Sequence, residues 1–211
     1  VEVVSAATFA EVREIYLRHH PAEQAHEANT NQDGDENLHR AEELLGSWWR
    51  VRLSRADVLD VILPWHLSEG GGDPLVPPSG LRVGQAAERV RAGGPEWAGA
   101  NPVCAGKLDL LQRAPFTPVY LSTRAVPHSD YAALRFWDGL IHLDGLHRMV
   151  AWEVAGRLSH EARVEAFVAG DVHALLGAGN VDSGNPDAGN LGTGNSPTIL
   201  TLSARTRDEQ T

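Results

Sequence analysis

Ile141-His142-Leu143-Asp144-Gly145-Leu146-His147-Arg148-Met149-Val150-Ala151-Trp152 is the stretch that decides how this chain folds. Residues 141–144 alternate apolar and polar, as a strand does when its two faces meet different surroundings. After Gly145, Leu146, Val150, Val154 and Leu158 recur at every fourth position, the spacing of one helix face. A backbone leaving a strand through glycine can pass close to a ligand, because no side chain stands in the way. The first amides of the following helix lack intrahelical acceptors and attract anions. Arg148 can add a bidentate clamp, while Asp144 and His147 offer a carboxylate and an imidazole for proton transfer or metal contact. Asp144 and His147 are therefore the candidate catalytic residues, and Gly145, Leu146, His147 and Arg148 the candidate nucleotide- or phosphate-binding residues. Each side chain also has a structural role open to it: Asp144 as a helix cap, His147 as a packed histidine, Arg148 stacked across Trp152.

Working outward, Leu134-Arg135-Phe136 and 140–143 read as the arms of a β-hairpin closed by Asp138-Gly139, since Asp-Gly supplies the positive φ that a tight turn demands. The helix after Gly145 is expected to reach Arg157, and 163–168 reads as the last strand. Upstream, Pro118 opens a strand over 118–122. Thr8 and Glu11 have the spacing of a capping box, followed by the apolar stripe Phe9, Val12, Ile15 and Tyr16, and Pro21 ends that helix. Helical character resumes over 38–45, and 48–53 alternates as a strand, which splits Trp48 and Trp49 between a core and an outer face, with core packing the safer assignment for the pair. Ser54 caps a helix over 55–63, and further helices are expected over 83–92 and 102–112, separated by Gly93-Gly94-Pro95. Segment 69–80 reads as a surface loop. Trp65-His66 follows a proline, where a pocket wall competes with core packing as the safer assignment.

The turn and its neighbours resemble the Asp-Gly-x-His-Arg signature of the ParB/sulfiredoxin-like superfamily. The order strand, hairpin, signature, helix and closing strand is that superfamily's, and the likeness covers roughly residues 115–170. It implies an α+β fold: a small mixed sheet of the ParB/sulfiredoxin-like type with additional N-terminal helices and a low-complexity C-terminal tail. It also implies that Gly145, Leu146, His147 and Arg148 hold the phosphates of a nucleotide, accompanied by magnesium where nucleotide chemistry is done. Activities in the superfamily range over sulfinic acid reduction, CTP hydrolysis, nuclease action and serine phosphorylation. Leu146 stands where the sulfiredoxin cysteine would be, which removes the first, and no helix-turn-helix region follows the core, which opposes a partition role. The whole chain also resembles an uncharacterised actinobacterial family with the same His-Leu-Asp-Gly-Leu-His-Arg core.

Composition limits the partners. Across 211 residues the net charge is −10 at pH 7, which opposes nucleic-acid binding because such surfaces must displace condensed cations. No apolar run approaches membrane-spanning length, and Val1 to Ser5 lacks the features of a signal peptide, so a cytoplasmic protein is expected. Cys104 is the single cysteine, which excludes a disulfide or a thiolate cluster within one chain and reads as a buried small hydrophobe. Asn29, Asn31, Asp33, Gly34, Asp35 and Asn37 imitate the start of a calcium loop, but Arg40 occupies the position that needs a bidentate glutamate. His19, His20, His26 and His39 cluster without a diagnostic metal spacing, so no metal site is assigned. The polar stretch 23–37 has the character of a lid. Domain organisation is read as one α+β domain over 1–176 and a flexible tail over 177–211, where Gly-Asn recurs at 179, 184, 189 and 194. Together these features point to an enzyme processing a small molecule with nucleotide or phosphate. A non-catalytic module that senses a ligand or binds a protein partner, and a ParB-like nuclease, are the competing readings.

Overall fold

The computed structural model describes residues 1–20, 31–68, 70–135 and 138–178. The Gly-Asn tail, residues 21–30 and the aromatic pair Phe136-Trp137 lie outside the described residues. The described residues form a mixed α+β fold with a seven-stranded sheet and seven α-helices.

The elements run β1 (Glu2–Ala7), α1 (Phe9–His19), α2 (Asn31–Leu45), β2 (Trp48–Leu53), α3 (Arg55–Asp60), β3 (Ile62–Leu63) and β4 (Leu81–Arg82). They continue with α4 (Val83–Ala100), α5 (Pro102–Leu111), β5 (Val119–Ser122), β6 (Ile141–Asp144), α6 (Leu146–Val154), β7 (Val164–Ala169) and α7 (Val172–Ala178). The strand order is β1-β2-β7-β5-β6-β3-β4. Strands β7 and β5 pair in parallel, as do β6 and β3, and every other neighbouring pair is antiparallel.

Alternation along the strands makes two cores. Val51, Leu53, Val119, Leu121, Ala166 and Val168 turn toward α3, α4, α5 and α6. Trp48, Tyr120, Ile141, Leu143 and Phe167 turn toward Val12 and Tyr16 of α1 and Leu38 and Ala41 of α2. The sheet is thus covered on both faces. The two tryptophans consequently split between the two cores, not between a core and an outer face: Trp48 is buried in the second, and Trp49 is partly buried against the first, its ring meeting His173 of α7 edge-on at 4.6 Å.

Local chemistry sets the element ends. Thr8 and Glu11 form the expected capping box, as do Ser54 and Asp57 for α3. Helix α3 stops at Asp60, short of the expected 63, because Ile62 and Leu63 are drawn into the sheet between β6 and β4. Helix α4 extends through Gly93-Gly94-Pro95 with a kink at Gly94, whose φ of 48° and ψ of −140° are not helical. The expected hairpin over 134–143 is replaced by another pairing: Leu134 and Arg135 are not in a strand, and β6 pairs antiparallel with β5. Helix α2 begins at Asn31, so Asp33, Gly34, Asp35 and Asn37 are helical and cannot form a calcium loop. Asp35 instead takes a bidentate pair of hydrogen bonds from Arg13 at 2.9 and 3.0 Å. Among the described residues no helix is long and apolar enough to cross a membrane.

Candidate functional site

Strand β6 ends and α6 begins at Gly145, whose φ of 110° only glycine adopts without strain. A Cβ there would lie 2.8 Å from Val119 Cγ1 and 3.2 Å from a guanidinium nitrogen of Arg148. The glycine therefore supplies both the turn and the close packing against β5.

Two neighbours of the turn fix it from within. The Leu146 amide donates to His142 Nε2 at 2.9 Å, so that nitrogen is unprotonated and the ring proton sits on Nδ1, which is buried without a partner among the described residues. Tyr131 donates its hydroxyl to the His142 carbonyl at 2.8 Å. Burial pushes His142 down to about 4, and it is neutral at pH 7. The amides of His147 and Arg148, next in the first turn, meet no backbone acceptor among the described residues.

Arg148 is heavily engaged. Its guanidinium pairs with Asp144 and donates at 2.7 Å both to Thr117 Oγ1 and to the Pro118 carbonyl, rather than lying across Trp152. Asp144, whose side chain is 13% exposed, also faces His20 Nε2 at 3.3 Å. Burial would raise the Asp144 carboxyl, but Arg148 and His20 outweigh it and hold the group well below the usual carboxylate range. The second ring nitrogen of His20 lies 2.9 Å from the Tyr16 carbonyl, and its ring stacks on Tyr16 with centroids 4.1 Å apart. Asp144 does not cap α6; Gly145 stands at that position. A carboxylate ionised at neutral pH and held this way orients His20.

These groups line one cavity of about 490 Å³, large enough for a small organic ligand. Its wall includes the whole 142–148 turn, and also His19, His20, His66, Lys107, Asp33 and Asp130. Lys107, the single lysine of the chain, is on this wall. Trp65 and His66 prove to be cavity wall, not core packing. Of the histidine cluster, His19 and His20 reach the cavity, His39 packs on Phe9 at 4.9 Å, and His26 lies outside the described residues. The lid expected over 23–37 is a helix from residue 31, with Asp33, Gly34 and Asn37 on the wall; 23–30 lie outside the described residues.

Sequence reasoning missed one constellation. His66 Nε2 and His147 Nε2 each approach Cys104 Sγ at 3.3 Å, and the two rings meet edge to face at 4.7 Å and 85°. Burial, aided by Lys107, pushes His66 down to about 4; burial, His66 and Lys107 take His147 well below its ordinary value. The three residues are far apart in sequence, and only His147 belonged to a recognisable motif.

No curated protein and no solved structure matches this chain. The model of a family of unknown function, DUF6309, matches residues 1–186. The chain is a member of that family.

Proposed function

We propose that the protein is an enzyme that binds a phosphate-bearing small molecule in the cavity beside the Asp144–Arg148 turn. The observation that carries this reading is convergence: the first turn of α6, Lys107 and three low-lying neutral imidazoles, His66, His142 and His147, line one cavity. Backbone amides at a helix start bind phosphate oxygens, and an ammonium adds charge without demanding a fixed geometry. Arg148 serves this site by holding Asp144 and the start of β5, so the anion-binding role falls to the His147 and Arg148 amides with Lys107. His20, oriented by Asp144, is the group suited to move protons, because an imidazole can donate or accept one through a ring nitrogen, whereas the Asp144 carboxylate is committed to its ion pair with Arg148. Magnesium fits as the companion of a nucleotide's phosphates rather than as a resident ion.

The finer fold assignment, a ParB/sulfiredoxin-like core, belongs to the same proposal. It is supported by the chain order β5, β6, turn, α6, β7 and by the adjacency of those three strands in the sheet.

A thermal-shift screen with pyrophosphate and nucleoside di- and triphosphates, with and without magnesium, tests the binding. The expected outcome is saturable stabilisation of the wild type, with affinity reduced roughly tenfold by Lys107→Gln, the loss of about one charge-assisted contact. Product formation on the ligand that binds then defines the reaction. The absence of a shift with every phosphate tested removes the reading.

A further inference from the structure

We propose that His66, Cys104 and His147 bind a divalent transition-metal ion of the zinc class, with a fourth coordination position facing the cavity. This goes beyond the phosphate reading and does not depend on it.

The geometry is that of a three-ligand metal site. One ring nitrogen of His66, one of His147 and Cys104 Sγ all lie within 4.8 Å of one another, and each Nε2-to-sulfur distance is 3.3 Å. Ordinary zinc bond lengths with tetrahedral angles separate nitrogen and sulfur ligands by about 3.5 Å. A small inward turn of the two rings closes the set around one ion. Two imidazoles and one thiolate is also a donor set that zinc accepts, and three protein ligands with an open position is the pattern of catalytic rather than structural sites.

Each ligand is held by its own element. His66 exchanges both backbone hydrogen bonds with Val76, at 3.0 and 3.2 Å. Cys104 lies in the first turn of α5, and its amide donates to Ser68 Oγ at 3.2 Å. His147 rides on the first turn of α6. Preorganisation of this kind lowers the cost of gathering ligands.

The competing roles account for less. As a packed hydrophobe, Cys104 gives no reason for two ring nitrogens to converge on its sulfur. A thiol can donate to one ring nitrogen and accept from the N–H of the other only weakly, whereas a metal binds both nitrogens and the sulfur at once. As a nucleophile, Cys104 is poorly placed: it is 1% exposed and does not line the cavity. Burial also pushes its thiol up, opposite to what nucleophilic activation requires. A metal reverses that effect directly. The sulfur-hydrogen bond is exchanged for a sulfur-metal bond, and the displaced proton leaves to solvent. The two imidazoles, already neutral, have none to give up, so binding releases one proton per ion.

The test uses the full chain, stripped with a chelator and dialysed against zinc, and separately against cobalt, in phosphate-free buffer so that no anion contributes. The expected result is one zinc per chain and, with cobalt, tetrahedral visible bands plus a sulfur-to-metal charge-transfer band. Cys104→Ser abolishes the charge-transfer band, and His66→Gln and Cys104→Ser each weaken zinc binding by roughly tenfold or more. Circular dichroism checks that the variants fold. A measurement on the wild type alone covers the case in which they do not: zinc protects Cys104 from alkylation under conditions that label the stripped protein. Substoichiometric zinc, cobalt bound without the charge-transfer band, or labelling indifferent to zinc overturns the site and leaves the phosphate reading standing.

Discussion

Replacing Arg148 with alanine destabilises the fold by about 3–5 kcal/mol, the range for removing one partner of a buried ion pair. Arg148 and Asp144 are 11% and 13% exposed, so the carboxylate left behind keeps little solvent. The variant also loses the donors to Thr117 Oγ1 and the Pro118 carbonyl, which tie α6 to the segment entering β5. Denaturant unfolding at pH 7 gives the magnitude, and the pH dependence gives the cause. In the wild type the folded Asp144 lies well below the unfolded carboxyl value, so its contribution is present above that unfolded value and is lost as pH falls toward the folded one. Without Arg148 less opposes the effect of burial and the carboxyl rises, so the deficit of the variant relative to wild type shrinks in acid. Asp144→Asn combined with Arg148→Ala recovers part of the loss, because the stranded charge is gone. A loss below about 1 kcal/mol, typical of an exposed pair, would mean that the pair does not organise the turn.

Mild acid also unfolds the metal-free protein, through its histidines. His66 and His142 both lie at about 4 when folded, principally because burial disfavours the imidazolium. In the unfolded chain they titrate near the ordinary value of about 6.5. The unfolded state therefore binds protons first as pH drops, and stability is full above about 6.5 and falls until about 4, where the folded rings protonate too. The gap between the folded and unfolded values corresponds to at most about 3 kcal/mol for each ring. Unfolding free energies measured in chelator from pH 7.5 to 4 show this slope, and His66→Gln flattens it by roughly a third, because His142 and His147 are also held low. A stability profile level between pH 6.5 and 5 would contradict neutral burial of these rings.

How much of this was legible in the sequence depends on range. The capping box at Thr8, the cap at Ser54, strand β2, and the strand-glycine-helix unit around Gly145 are set by neighbours a few residues apart, and they formed as read. Ile62 and Leu63 continue the apolar pattern of α3, and only pairing with Ile141 and Leu81, far along the chain, makes them strand. Asp138-Gly139 invited a hairpin, but β6 finds its antiparallel partner in β5 across a long connection. Strand β1 has little alternation because it sits at the sheet edge with most of its side chains exposed. The same distinction applies to the site. The Asp-Gly-Leu-His-Arg turn is contiguous, so its members could be named in advance. Lys107 and Cys104 of α5, His20 after α1 and His66 after β3 join it from three separate places in the chain, and no local spacing announces that meeting. Arg148 was recognisable as important, while its commitment to Asp144 and β5 depends on packing that a motif does not encode.

The central claim, that the cavity at the Asp144–Arg148 turn takes a phosphate-bearing molecule, is tested most directly by titrating isotope-labelled, metal-free protein with pyrophosphate and nucleotides while following backbone amide resonances. The account predicts saturable shifts centred on the amides of His147 and Arg148, extending to Lys107 in α5. Unchanged resonances at this turn, or saturable shifts confined to a surface away from it, would contradict the claim.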